Sequence, residues 1–234
     1  MYNIIADLHT HTLACTHAYS TAAEMINSAK SKGLYAIGIT DHARSMPGAP
    51  GVWYFECLDA IPKTENGVRV FKGIELNVID FDGNTDYENH FNLDYTIASI
   101  HNIQSLDLKN PTIEKCTNAY INLANNPKIN IIGHSGTKRF EYDYEKVIPI
   151  FGQTNTLVEI NSGSFIGRKE SIPNCKKIAE LCKKHSVPIV VNSDAHYHTD
   201  VANFSLALEM LKEIDFPEEL IANSSVERLS KYFK

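Results

Sequence analysis

Short apolar runs rich in isoleucine and valine alternate with amphipathic stretches from one end of the chain to the other. The runs at 4–9, 36–41, 68–78, 95–101, 129–134, 157–161 and 188–192 predict seven strands. Most are almost continuously hydrophobic, as parallel strands covered on both faces must be. Between them, helical periodicity predicts helices over 21–32, 112–125, 144–151 and 174–185, with 203–214 and 225–233 closing the chain. Ser20 or Thr21 can cap the first helix and Gly33 can end it. Residues 44–54, with Pro47, Gly48, Pro50 and Gly51, read as an extended loop after the second strand. Repeated strand–helix units without a composition break predict one α/β barrel spanning residues 1–234, with seven strands rather than the usual eight.

Composition narrows the class only slightly. Hydrophobic residues make up 43% and charged residues 21% of the chain, ordinary values for a globular protein. A formal net charge of -6 argues against a nucleic-acid-binding surface. Five cysteines (Cys15, Cys57, Cys116, Cys175, Cys182) are scattered and odd in number, which argues against a disulfide framework and a cysteine-based zinc site. The N-terminal MYNIIADLHTHT reaches charge too soon for a signal peptide, and no apolar run could span a bilayer, so a cytoplasmic setting is the default expectation.

The candidate chemistry lies in the placement of histidines. The first strand runs into Asp7-Leu8-His9-Thr10-His11 and the second into Thr40-Asp41-His42. The third carries Glu75, the fourth ends in His101, the fifth in His134, and the last leads into Asp194-Ala195-His196. In a parallel barrel these C-terminal strand ends form one rim, so residues far apart in sequence converge there. Strand alternation projects His9 with His11, and Asp194 with His196. A single histidine is more often a satisfied core or surface residue, but this many at one edge predict a metal centre. His17, in the loop above the rim, can fold back onto it. His90, His185 and His198 are left out as loop or helix-end residues, although His198 stands close enough to the rim to touch a substrate.

The motifs D-L-H-T-H (7–11), H-A-Y-S (17–20), I-T-D-H (39–42), G-I-E (73–75), G-H-S-G (133–136) and S-D-A-H (193–196), with His101 between them, resemble those of the PHP (polymerase and histidinol phosphatase) superfamily, in its stand-alone bacterial phosphatase branch. The resemblance covers nearly the whole chain. It implies a distorted (β/α)7, TIM-like barrel with a trinuclear site. One metal would be held by His9, His11, Glu75 and Asp194, a second by His17, His42 and His196, and a third by His101, His134 and a shared Glu75. G-H-S-G departs from the family in lacking a proline after the histidine, which should alter the local turn but not the ligand. Cys15, two residues before His17, is an extra thiol near the site or a small buried filler.

Three divalent ions, zinc first and manganese or iron next, would leave an excess of positive charge over Glu75 and Asp194. A small phosphorylated substrate is the natural occupant, attacked by a metal-bound hydroxide with no protein nucleophile. Arg168, after the sixth strand, is expected to bind the phosphate through its forked donors. Asp7 and Asp41 are expected to orient imidazoles from behind. The sequence leaves open a phosphodiesterase or exonuclease and a histidinol phosphatase. An amidohydrolase-type C–N hydrolase is disfavoured because no lysine stands at the inferred rim, and a non-catalytic scaffold because all nine ligand positions carry competent residues. Oligomeric state is not legible.

Overall fold

The computed structural model describes residues 2–87 and 91–233, so that His90 lies outside the described residues. One sheet contains β1 (Ala6–Asp7), β2 (Ala36–Ile39), β3 (Thr64–Glu65), β4 (Val68–Asn77), β5 (Tyr95–Ser99), β6 (Ile131–Ile132), β7 (Leu157–Asn161) and β8 (Ile189–Asn192). Seven strands pair in parallel in the order β1-β2-β4-β5-β6-β7-β8, and β3 pairs antiparallel with β4. The sheet curls into a nearly closed, distorted barrel with the seven parallel strands expected. The eighth strand was not expected. β3 and β4 are joined by Asn66-Gly67, both at positive φ, the signature of a two-residue hairpin turn.

Helices α1 (Ala22–Ser31), α2 (Val52–Glu56), α3 (Ile113–Ala124), α4 (Tyr144–Thr154), α5 (Ser164–Gly167), α6 (Ile172–His185), α7 (Ser205–Glu213) and α8 (Val226–Leu229) follow the strands. Thr21 caps α1 in a reciprocal box with Glu24, while Ser20 turns instead to His198. α3 buries Cys116, Ala119, Tyr120 and Leu123, a spacing of three and four that forms one helical face. The loop expected at 44–54 gives way to α2 at Val52. The helix expected over 225–233 stops at Leu229, because Phe233 drops into the barrel floor beside Tyr95, ring centroids 5.0 Å apart.

Two apolar layers result. Ile37, Ile74, Val158 and Val191 face the helices, whereas Phe71, Tyr95, Ile97, Ile131, Leu157 and Val190 fill the barrel interior. The Tyr95 hydroxyl donates to the Leu8 carbonyl at 2.6 Å, and a Cβ on Gly38 would overlap that hydroxyl, so glycine is required there. This packed floor forces anything polar to the C-terminal mouth.

The seam between β1 and β8 is closed by side chains and a single backbone bridge, Thr10 with Ala195, rather than by a ladder. Asn223 donates from Nδ2 to the Ala6 and Val191 carbonyls, both at 2.7 Å, and its Oδ1 accepts from Val191 N–H at 3.1 Å. Higher up, Leu8 N–H donates to Asn192 Oδ1 at 2.9 Å and His11 N–H to the Ala195 carbonyl at 2.8 Å. Asn223 is fully buried, so Asn223→Ala strands three backbone groups away from water. The variant should lose about 3 kcal/mol of stability, read as a lower urea midpoint at unchanged slope. A midpoint within error of the parent would mean that the seam does not depend on this side chain.

Candidate metal centre

Four strand ladders end two residues before a predicted ligand: β1 before His9, β5 before His101, β6 before His134 and β8 before Asp194. The chain is already leaving the sheet at these points, which lets its side chains lean inward over the barrel. His42 follows β2 and bridges to Glu75, which lies within β4. His17 reaches the group from the loop after β1. His17, His42, Glu75, His101, His134, Asp194 and His196 line one cavity together with Met46 and Arg168.

Glu75 stands at the centre. Its Oε1 lies 3.3 Å from His9 Nε2, 3.3 Å from His101 Nε2 and 3.1 Å from His134 Nε2. Its Oε2 lies 2.7 Å from His42 Nδ1 and 3.5 Å from His11 Nε2. Asp194 Oδ1 lies 3.2 Å from His11 Nε2 and 3.5 Å from His9 Nε2. His17 stacks near His42 and His196 at ring separations of 5.1 and 5.0 Å. Donor atoms lie within 4.8 Å of one another in the groups His9–His11–Glu75, His42–Glu75–His101, His11–His42–His196 and His11–Cys15–Asp41.

Among the described residues, His9 Nε2, both ring nitrogens of His11, His42 Nδ1, His134 Nδ1 and Glu75 Oε2 are buried without a directed hydrogen bond. Buried polar atoms are ordinarily satisfied, and a knot of nitrogen and carboxylate lone pairs aimed at one another suits cations. The donor set therefore fits divalent metal ions.

Behind these groups stands Glu159, on β7, which was not expected from the sequence. It is buried and its Oε1 lies 2.7 Å from His9 Nδ1, while its Oε2 accepts from His134 N–H at 2.8 Å. Asn161 and Asn192 donate to the same carboxylate at 3.0 and 2.9 Å. Asn77 does similar work on β4, its Oδ1 2.8 Å from His101 Nδ1. By engaging one ring nitrogen these residues turn the other inward. The signal in the sequence was a lone glutamate inside the apolar run Leu157-Val158-Glu159-Ile160-Asn161, in step with inward-facing Leu157. Two candidate ligands also have positive φ, His134 at 26° and Asp194 at 59°, conformations that persist only where surroundings enforce them. Glu159 supplies part of that enforcement at His134.

Burial works against charge on every group here. The imidazoles of His9, His42 and His101 nonetheless hold Glu75 well below the usual carboxylate range, and those of His9, His11 and His196 do the same for Asp194. Burial pushes His101 down to about 4 and His17 down, and burial with neighbouring His42 lowers His11 well below its ordinary value. These rings keep their lone pairs at neutral pH. His9 differs. Desolvation disfavours its proton, but Glu159, Glu75 and Asp194 outweigh that and raise its pKa.

Asp7 does not stand behind an imidazole as expected, whereas Asp41 stands close to one, its carboxylate within 4.8 Å of a His11 ring nitrogen. Asp7 accepts from Ser193 N–H at 3.0 Å, Ser193 Oγ at 2.5 Å and Ala202 N–H at 2.8 Å, and so braces the loop after β8 rather than an imidazole. Strand alternation does not carry past the end of the β1 ladder, so Asp7, paired with outward-facing Ile37, and His9 face opposite ways. Asp41 accepts from Thr12 N–H at 2.7 Å, Thr12 Oγ1 at 2.8 Å and Tyr54 Oη at 2.5 Å, pinning the loop after β1 to α2. Cys15 is buried, and its sulfur accepts from His42 N–H at 3.3 Å. His198 is tied to Ser20 at 3.1 Å and is absent from the cavity wall, and His185 is exposed in the last turn of α6. Arg168 does reach the cavity, where its guanidinium donates to Asp194 Oδ2 at 3.2 Å and to Ser164 Oγ.

A family model described as PHP domain matches residues 7–163. The chain is 42% identical over 232 residues to a "Probable phosphatase" of Clostridium botulinum (strain Hall), spanning 98% of this chain and 94% of the relative. It is 40% identical over 232 residues to a "Probable phosphatase" of Acetivibrio thermocellus, spanning 98% and 95%. In fold it is similar to the crystal structure of histidinol phosphate phosphatase from Lactococcus lactis complexed with zinc, L-histidinol and phosphate. The TM-score is 0.64 at 15% identity, over 91% of this chain and 94% of that one. Among the described residues, no helix is long and apolar enough to cross a membrane.

The position of Glu159 generates a test. Glu159→Ala releases His9 Nδ1 and the His134 backbone together, and should weaken zinc affinity by roughly 10–100-fold in chelator competition. An unchanged affinity in a variant with parental circular dichroism would show that Glu159 does not orient the centre.

Proposed function

Because the chain belongs to the PHP domain family, a family of phosphoester hydrolases, we propose that it is a metal-dependent phosphatase acting on a small phosphomonoester. The observation that carries this reading is the knot of buried, unpaired imidazole and carboxylate atoms around Glu75. The proposed ligand sets are His9, His11, Glu75 and Asp194 for one ion, His17, His42 and His196 for a second, and His101, His134 and Glu75 for a third. The four-residue set is supported by the shared approach of His9 and His11 to Glu75 and Asp194, all within 3.5 Å. Bound divalent ions would neutralise phosphoryl oxygens and acidify a water so that it attacks at neutral pH.

The chain's own residues prepare that attack. Glu159 and Asn77 fix the rings of His9 and His101 before substrate arrives, so no reorganisation is needed during reaction. Arg168, part-exposed at the cavity edge, can keep its contact with Asp194 and offer its remaining donors to a phosphoryl oxygen. Among the described residues the cavity wall carries no serine or cysteine, and its histidines and carboxylates are the proposed metal ligands, which supports direct attack of water on phosphorus. The ester P–O bond breaks, water oxygen becomes the fourth phosphate oxygen, and its proton passes to the departing alcohol. Zinc is the first expectation for this donor set, with manganese or iron next. The Lactococcus protein's ligands bear on that protein, and at 15% identity they do not select histidinol phosphate here.

Elemental analysis of the reconstituted protein should find close to three ions per chain, and Glu75→Ala should lose more than one of them. A stoichiometry of one would overturn the trinuclear reading. Hydrolysis of phosphomonoesters should disappear on chelation and return with added metal. Arg168→Ala should cost roughly 1.5–3 kcal/mol in kcat/KM, the worth of a charge-assisted contact. Rapid-quench capture of a phosphorylated protein would exclude direct attack by water.

A further inference from the structure

The cavity above the metal centre encloses only about 170 Å³. Pockets that engulf a whole ligand run to roughly 300–1,000 Å³. Its wall is almost entirely imidazole, carboxylate and guanidinium, with Met46 the one apolar side chain. A phosphoryl group suits that space and chemistry, but the alcohol attached to it must lie outside, against the rim.

That rim is apolar. Among the described residues nine large hydrophobic side chains are exposed, and Leu13, Tyr19, Trp53, Ile166 and Tyr197 are five of them. All five lie on segments that leave the C-terminal ends of strands: Leu13 and Tyr19 after β1, Trp53 after β2, Ile166 after β7 and Tyr197 after β8. Four are tied closely to the site. Tyr197 follows His196, whose carbonyl accepts from Tyr19 N–H at 2.9 Å. Ile166 stands two residues before Arg168. Trp53, 81% exposed, precedes Tyr54, whose hydroxyl is anchored on Asp41. Single exposed apolar side chains need no explanation, but several on loops that open on the same barrel face as one polar cavity suit a binding surface.

We infer that the substrate is a phosphomonoester whose alcohol carries an aromatic or bulky apolar body, held outside the cavity by Tyr19, Trp53 and Tyr197. This rests on the phosphoester reading above. Tyrosine and tryptophan suit the task because they present large, rigid faces with little rotamer entropy to lose.

Phenethyl phosphate and glycerol 1-phosphate both release alkyl alcohols, so their relative kcat/KM reports recognition rather than leaving-group chemistry. The metal-loaded protein should favour phenethyl phosphate by roughly tenfold or more, mainly through KM. Trp53→Ala and Tyr197→Ala should each narrow that ratio. Trp53 is the only tryptophan in the chain, so its emission gives a readout independent of turnover. Non-hydrolysable phenethylphosphonate should change that emission saturably, and inorganic phosphate should not. Cleavage of both esters without preference overturns the inference, as does an emission unmoved by the phosphonate or moved equally by phosphate. If neither ester is cleaved while the phosphonate alone still moves the emission, the phosphoester reading fails and the apolar rim remains a binding surface.

Discussion

Glu75 and Glu159 are carboxylates 1% and 3% exposed, taken out of water with Asp194 at their side, and nothing else about the site is intelligible until their charge is balanced. An isolated buried carboxylate either costs several kcal/mol or takes up a proton. Here neither happens, because imidazoles crowd Glu75 on every side and hold its pKa down. Burial lowers the pKa of His11 and His101 among them, so these two supply lone pairs more readily than charge. His9 takes the proton that the three carboxylates demand. A proton on His9 and a metal ion beside it answer the same surplus of negative charge, which couples metal affinity to pH.

The barrel makes this concentration of polar atoms tolerable. Tyr95, Phe71 and Phe233 fill the floor, so the interior below the centre is dry and packed. The ladders then end two residues early, and His9 and His134, out of step with inward-facing Leu8 and Ile131, escape the alternation that a longer strand would impose, while His101 and Asp194 stay in step with Ile97 and Val190. Without that escape an even-spaced pattern would send half of the rim outward. The positive φ at His134 and Asp194 is where the chain turns. At His134 the backbone N–H is gripped by Glu159, so the residue that orients His9 also enforces a neighbour's unusual conformation.

Seven parallel strands were legible in the sequence, as were most of the residues that gather at the mouth, because each announces itself by type and position. Apolar runs of isoleucine and valine mark the strands, and histidines or acids stand where those runs stop. Asp7 misled for a physical reason: two-residue periodicity holds only while backbone pairing persists, and pairing stops at Asp7. Glu159 was hidden because a glutamate within a buried strand has no local pattern, and its partners lie 150 and 25 residues away. Asn223 was illegible for a related reason. Its value comes from an open seam between the first and last parallel strands, which no local signal discloses. The β3 hairpin is different, since Asn66-Gly67 states its turn plainly.

Under the proposed function, substrate recognition and catalysis would divide along this same geometry. A cavity walled by fixed imidazoles and carboxylates can read charge and tetrahedral shape, both of which belong to the phosphoryl group and are common to every phosphomonoester. Discrimination therefore has to come from groups that touch the alcohol, and those stand on the loops after β1, β2, β7 and β8 rather than on the strands. The loops are anchored by Asp7 on Ser193 and Ala202, and by Asp41 on Thr12 and Tyr54. These two aspartates hold the rim in register with the centre, Asp7 from outside the imidazole cluster and Asp41 from beside His11. Changes in rim side chains would thus alter which alcohol is accepted without disturbing the proposed metal ligands.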